Sequence, residues 1–463
     1  MGKSGYFAGY ALVVTRLPVL LMRRLILFVL ALSLSAVLHG QSSLTGSASL
    51  SGSVVFGSTT TCYGNCGNPY ASYPGGVMPD ESGWTAIASC IGALTPSTNY
   101  YLSGDVGSTP SANCLQVRNQ TVDLRGHTLT GTIRWDSNQN VSGLTIFNGA
   151  VNCNLADGTY YGCIEVVDGS PLSADCTLHH LTVDNAADPG TGEVRTIHAE
   201  SDGTAAPSTA KFYIYHDTIV VETAATSSRA IAINLTTNDN VEAAWNLLTC
   251  STNASACQGI QLIPTRTDSG SFLLHDNEIL LNSSPSMPQS ARGIALSGPD
   301  SSTTGPAGFL VYNNLCTANT NRCFRARQVT GATFQNNIVY NCADTDAGCY
   351  HMGDPSGPSN VTNLGVTITH ERIAMNGGTA FYTRNAQGIL FDLSTVTGTS
   401  GRLADVTYYA PIGAPNTVAE VCGITGASGL GTASNVDTGA TANVLNSGTW
   451  SGTGIINSIG SCP

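Results

Sequence analysis

Gln258-Gly-Ile-Gln-Leu262 returns as Arg292-Gly-Ile-Ala-Leu296, as Arg322-Cys-Phe-Arg-Ala326 and as Gly348-Cys-Tyr-His-Met352. The same unit stands upstream at Gly162-Cys-Ile-Glu-Val166, Arg195-Thr-Ile-His-Ala199 and Arg229-Ala-Ile-Ala-Ile233, and downstream at Thr379-Ala-Phe-Tyr-Thr383. Its third residues, Ile164, Ile197, Ile231, Ile260, Ile294, Phe324, Tyr350 and Phe381, lie 26 to 34 residues apart. A second unit interleaves, an apolar strand, a polar turn and another apolar strand: Tyr213-Ile-Tyr-His-Asp-Thr-Ile219, Leu274-His-Asp-Asn-Glu-Ile279, Val311-Tyr-Asn-Asn-Leu315 and Phe334-Gln-Asn-Asn-Ile338 among others. Helical repeats share such a period, but they need apolar residues at 3.6 spacing, and here the spacing is two. Alternation turns Ile260 and Leu262 inward and the residues between them outward. A lone rung cannot bury its inward face. Stacking rungs with equivalent strands about 4.8 Å apart satisfies the backbone and piles like upon like, so eight rungs make a rod of roughly 40 Å.

With Tyr100-Tyr-Leu-Ser-Gly-Asp105, Thr121–Gly131 and Val141–Gly149 as its first rungs, the chain resembles, over residues 95–400, the right-handed parallel β-helix repeat proteins related in fold to pectate lyases and polygalacturonases. That resemblance implies an all-β fold: a single-stranded right-handed parallel β-helix, or solenoid, with N- and C-terminal caps. It carries no catalytic residues across. The Asn-Thr-Asp, Asp-Asp and Gly-His-Gly series of the polygalacturonases, the Trp-Ile-Asp-His segment of the pectate lyases and the pectin methylesterase signatures are all missing.

The expected organisation is a signal peptide over 1–40, a Ser/Gly-rich linker over 41–61, an N-terminal cap and first rung over 62–110, the β-helix over 111–400 and a C-terminal cap over 401–463. Arg23 and Arg24 before the apolar run Leu25–Leu32 and small residues up to Gly40 read as an export signal. Met22 opens an equally well-proportioned signal. A retained anchor is the other reading of this segment, but Arg16, Pro18, Arg23 and Arg24 interrupt the span a crossing needs. Export predicts a secreted, extracellular, periplasmic or cell-surface protein with no stable membrane insertion. Removing 1–40 leaves 14 cations against 30 acids, a net charge of −16, with Lys211 as the only lysine. Such a surface excludes nucleic acid as a partner.

All fifteen cysteines lie beyond residue 61, as disulfides would in an exported chain. Cys250 and Cys257, Cys316 and Cys323, and Cys342 and Cys349 share a separation of seven at one corner of successive rungs, and Cys153 with Cys163 looks like the same device one corner earlier. Disulfides Cys250–Cys257, Cys316–Cys323, Cys342–Cys349 and Cys153–Cys163 are predicted. The pairing of Cys62, Cys66, Cys90, Cys114, Cys176, Cys422 and Cys462 is left open. Asn246, Asn277, Asn313 and Asn336, with Asp217 and Glu371, fall in one turn column and read as a structural ladder; His179, His180, His216, His275 and His370 read as solvated turn residues rather than metal ligands. No metal or cofactor is predicted, and a calcium requirement is left open.

The outward positions of the first unit carry the chemistry. Following each inward anchor come Glu165, His198, Ala232, Gln261, Ala295, Arg325, His351 and Tyr382, and two residues further stand Glu200, Arg327 and Arg384. Arg325, His351 and Arg384 are candidate catalytic residues for uronate elimination, which needs a positive centre and a base. Arg327 and Tyr382 are candidate substrate-binding residues, since guanidinium pairs with carboxylate and an aromatic ring stacks on a sugar. Glu165 and Glu200 are the alternative pair, for glycoside hydrolysis. The competing reading pairs the cations with Asp344, Asp346, Asp354 or Glu371. The expected function is binding, with cleavage by a lyase or hydrolase in view, of an extracellular and acidic, uronate-containing polysaccharide. The alternative is a non-enzymatic surface or adhesin-like rod.

Overall fold

The computed structural model describes residues 53–56, 59–135, 143–155, 162–167, 170–187, 193–201, 206–223, 229–252, 256–282, 292–299, 305–318, 322–342, 348–353, 365–398, 400–408, 417–445 and 448–462. The expected signal segment, the first part of the expected linker and the loop acids Asp344, Asp346 and Asp354 lie outside these. Among the described residues the chain is strands and two 3-10 turns with no α-helix, and no helix is long and apolar enough to cross a membrane. The stretch expected as a linker ends in a short antiparallel pair, Ser53–Phe56 with Thr59–Cys62.

Every other named pairing is parallel. One sheet takes fourteen strands in chain order, from Gly92–Ala93 through Gly162–Val167, Val194–Glu200, Arg229–Thr236, Ala256–Leu262, Arg292–Ser297, Arg322–Arg327, Tyr350–Gly353, Thr379–Arg384 and Arg402–Thr407 to Trp450–Gly452. These strands hold the five-residue repeat. The second repeat unit supplies two further ladders. Lys211–Tyr215, Asn240–Ala244, Phe272–His275 and Phe309–Tyr312 belong to one; Thr218–Thr223, Leu247–Thr252, Glu278–Asn282 and Leu315–Ala318 belong to the other. The long strand Cys176–Ala187 pairs with the first strand of both. Pairing runs from Thr85–Ile87 to Ile455–Ser458, beyond the span 111–400 at each end.

The inward column of the fourteen-stranded sheet is Ile133, Ile164, Ile197, Ile233, Ile260, Ile294, Phe324, Tyr350, Phe381 and Ala404, each fully buried. Stacking places Phe324 and Tyr350 with ring centroids 4.8 Å apart and Phe381 and Phe391 4.5 Å apart, and each such burial contributes about 1.5–3 kcal/mol. In the Arg229–Thr236 strand the anchor is Ile233, two residues past the expected Ile231.

The polar turn between the two ladders also differs by one position. The residues in the left-handed region are His180, His216, Trp245, Asp276, Asn313, Asn336 and His370. After His180 comes Leu181, and the buried polar ladder is the residue after each of the other six: Asp217, Asn246, Asn277, Asn314, Asn337 and Glu371. Asn313 and Asn336 therefore supply the turn conformation, and Asn314 and Asn337 the ladder. Each amide donates to the next side-chain oxygen, Asn246 to Asn277, Asn277 to Asn314 and Asn314 to Asn337 at 2.9 Å. Each also donates to a main-chain carbonyl of the previous rung, Ile214, Ala243 or Leu274.

Fourteen cysteines form seven disulfides, and buried Cys176 completes the fifteen. Cys250–Cys257, Cys316–Cys323 and Cys342–Cys349 have Cα separations of 5.6, 5.9 and 5.6 Å, and Cys153–Cys163 one of 5.7 Å. Cys62–Cys66, Cys90–Cys114 and Cys422–Cys462 are the pairs that spacing left open. So many paired cysteines fit an oxidising compartment.

Candidate functional site

Register aligns the outward column as Glu165, His198, Asn234, Gln261, Ala295, Arg325, His351, Tyr382 and Asp405. Asn234 thus takes the place expected for Ala232. The strand Arg292–Ser297 sets Arg292 against Arg322, and Ser297 against Arg327. One position past the Ala326–Met352 pairing, Arg327 comes beside Gly353, which pairs with Arg384. Arg327 and Arg384 therefore stand two strands apart, about 10 Å, on either side of a glycine.

Charge gathers here. Nine of the thirteen arginines beyond residue 40 lie on strands of this sheet (Arg134, Arg195, Arg229, Arg292, Arg322, Arg325, Arg327, Arg384 and Arg402), against three acids, Glu165, Glu200 and Asp405. The whole chain has the opposite balance. Burial, and then the charges of Arg325, Arg322, Arg229 and Arg327, push the Arg292 guanidinium well below its usual range. Burial likewise drives His351 well below the imidazole range, helped by Arg322, Arg325, Arg292 and Arg384, so its ring is neutral. Arg322 lies 2.8 Å from His351 Nδ1, where it donates, while Nε2 of the same ring is buried with no hydrogen-bond partner.

One expectation fails. Arg325, His351 and Tyr382 were to form an open line of side chains, yet their exposures are 6, 0 and 7%. Alternation decides the face a side chain leaves from and is silent about what covers that face. Arg292, Arg327 and Arg384 are half-buried and form the accessible margin of the cluster. Tyr382 is edge-on to His351 with centroids 4.9 Å apart and accepts from Thr407 Oγ1 at 3.1 Å, so its ring is already engaged. Glu371 does not balance these arginines, because burial favours its neutral form and its carboxyl group is engaged by Asn337 and Tyr350 inside the ladder.

Glu165 and Glu200 meet around His198, whose Nδ1 is 3.7 Å from Glu165 and whose Nε2 is 3.3 Å from Glu200. Burial opposes the charged imidazole, but the two carboxylates outweigh it and raise His198, while the His198 hydrogen bond lowers Glu200. Two carboxylates committed to one ring form an ion-pair cluster rather than an acid and a nucleophile facing across a gap.

Of the five turn histidines, His370 is exposed and His216 half-buried, but the other three are not solvated. His179, His180 and His275 are about 5% exposed or less and stack in a file: Phe147 on His179 at 4.9 Å, His179 on Tyr215 at 5.1 Å, His180 on His216 at 4.9 Å and His216 on Trp245 at 5.2 Å. Burial, then His180 and His216, lower His179 to about 3. Farther along the same turns a groove of about 590 Å³ is lined by Tyr63, Asp276, Asn313, Asn336, His370 and Arg372 among others. Sequence reading missed Tyr63 and Arg372, since nothing in the repeat brings residue 63 across the turns. No protein-family model, curated protein or solved structure matches the chain.

Proposed function

We propose that the chain is an exported right-handed parallel β-helix whose fourteen-stranded sheet binds an acidic polysaccharide through its arginines. The handedness follows from the strong preference of parallel crossovers for the right-handed form, and export from the arginine-led apolar segment together with the disulfides. One observation carries the binding reading: nine of thirteen arginines sit on one sheet of a chain that is otherwise acidic. Arg327 and Arg384, bracketing Gly353, offer two planar forks at a spacing that suits the carboxylates of neighbouring uronates. His351 is fully buried and its Nδ1 accepts from Arg322, so its ring braces the cluster and does not reach a substrate proton.

The double change Arg327→Ala with Arg384→Ala removes the two accessible forks and touches no core residue. Binding to polygalacturonate in low salt should weaken by about 1–2 kcal/mol, roughly 5- to 30-fold, and the gap should close as salt rises. Equal affinity of the variant and the parent at low salt would refute this face. Ultraviolet absorbance of unsaturated uronate products decides whether the bound polymer is also cleaved.

A further inference from the structure

Above the file of stacked imidazoles runs the segment that follows the antiparallel pair. Cys62 Sγ, Cys66 Sγ and one imidazole nitrogen of His216 lie within 4.8 Å of one another, the only such trio of ligand atoms among the described residues. All three side chains are half-buried. They line a cavity of about 240 Å³ whose other walls include His179, His180, Tyr215 and the turn from Gly67 to Ser72. His216 Nδ1 is buried with no hydrogen-bond partner. Of the seven disulfides this is the one whose sulfurs stand against such an imidazole.

The segment holds its place by bonds that do not involve sulfur. Gly64 N–H donates to the Trp245 carbonyl at 2.8 Å. Asn65 donates from its main chain to Thr218 Oγ1 at 2.8 Å and from its side chain to Thr182 Oγ1 at 3.1 Å. Gly64 has φ +77°, and a Cβ there would meet Leu247 Cβ at 2.9 Å, so only glycine lets the segment lie this close. The two cysteines would therefore stay over His216 whether or not they are bonded to each other.

We propose that Cys62, Cys66 and His216 form a redox-gated site for a divalent transition metal of the zinc class. With the disulfide closed, the sulfurs have no thiolate to offer. An external thiol reductant supplies two electrons and two protons, its own thiols joining as a disulfide, and opens Cys62–Cys66 to two thiols. The metal then displaces those two protons and binds two thiolates and one imidazole. Zn–S near 2.3 Å and Zn–N near 2.0–2.1 Å suit a trio of this span, and the fourth position faces the cavity beside His180.

The test uses the full disulfide-bonded chain, mildly reduced under native conditions until two thiols per chain are titrated, with Co²⁺ alone as the probe. The expected result is one Co²⁺ per reduced chain, with the absorption of a tetrahedral sulfur-ligated ion and none from the unreduced chain. His216→Ala should weaken binding at least tenfold and alter the spectrum. Gly64→Ala should also weaken it, with every ligand in place. Circular dichroism confirms that each variant keeps its strands. Absence of Co²⁺ binding by the reduced chain would overturn the site, as would an unchanged spectrum in the double variant Cys62→Ser with Cys66→Ser.

Discussion

Glu371 ends the ladder with a carboxyl where the four rungs before it have an asparagine amide. It accepts from Asn337 Nδ2 at 3.0 Å and from the Tyr350 hydroxyl, and its own N–H donates to Ser394 Oγ at 3.1 Å. Burial pushes its pKa from 4.5 up to about 8, more than those hydrogen bonds lower it. The folded chain therefore holds a proton that the unfolded chain releases above pH 4.5. The stability tied to this group is full below pH 4.5 and is lost as pH rises through about 8. Glu371→Gln keeps the shape and the oxygen that accepts from Asn337, lets its amide donate to the Tyr350 hydroxyl oxygen, and removes the ionisation. Its stability relative to the parent should be near zero difference at pH 4.5 and grow to on the order of a few kcal/mol in its favour by pH 8.5. Comparing the two proteins cancels the other buried groups, among them Asp217, which burial also raises, and His351, which it lowers. Urea unfolding at several pH values measures the difference. Parallel pH profiles would mean that Glu371 is ionised in the folded chain.

At the scale of the turn, the ladder and the left-handed positions make opposite demands on adjacent residues. Asn277 gives its oxygen to the Asn246 main chain and amide, and its own amide to Ala243 O and Asn314 Oδ1. Asn314 repeats this one rung on, and Asn314→Ala leaves buried groups on both neighbours without partners, a cost of about 3–5 kcal/mol. Asn313→Ala places alanine at φ +55° on an exposed turn and should cost only about 1 kcal/mol. Thermal or urea unfolding separates the two, and the reverse ranking would restore the register read from sequence. That register was legible to within these steps for a physical reason. Val311-Tyr-Asn-Asn-Leu315 and Phe334-Gln-Asn-Asn-Ile338 each contain an asparagine doublet, and either member satisfies a turn preference, so composition alone does not choose between them. In the Arg229–Thr236 strand, Ile231 and Ile233 are both fully buried. A shift of two residues preserves alternation, and only the hydrogen-bond register with Ile197 and Ile260 distinguishes them. The corner disulfides were legible because their spacing repeats; Cys62–Cys66 and Cys422–Cys462 were not, because each occurs once. The burial of Arg325 and His351 had no local signal at all, since covering a sheet face depends on segments far away in sequence.

Over the whole molecule, a strand pairs with its equivalents in the preceding and following rungs, so stability passes from neighbour to neighbour. The C-terminal end is then the weak place. Ile455–Ser458 pairs on one side only, with Ala440–Leu445, and leaves Ile455 and Ile456 59 and 39% exposed. Cys462, just beyond, is tied to Cys422 across a separation of 40 residues, with Cα atoms 6.0 Å apart. A loop of that length is worth about 4 kcal/mol in the chain-entropy account, against about 2.5 kcal/mol for the short loop of Cys316–Cys323. The two bonds should act on different parts of the chain. Replacing Cys422 and Cys462 by alanine should strip amide protection from Thr417–Cys422, Ala440–Leu445 and Ile455–Ser458, and leave Arg322–Arg327 and the rungs before it protected. Replacing Cys316 and Cys323 should loosen the corner between Leu315–Ala318 and Arg322–Arg327, with the ends of the chain unaffected. Hydrogen exchange read peptide by peptide measures both. Equal loss of protection along the whole chain in either variant would mean that the rungs unfold as one cooperative block, and that the parallel ladder transmits its stability much farther than one neighbour.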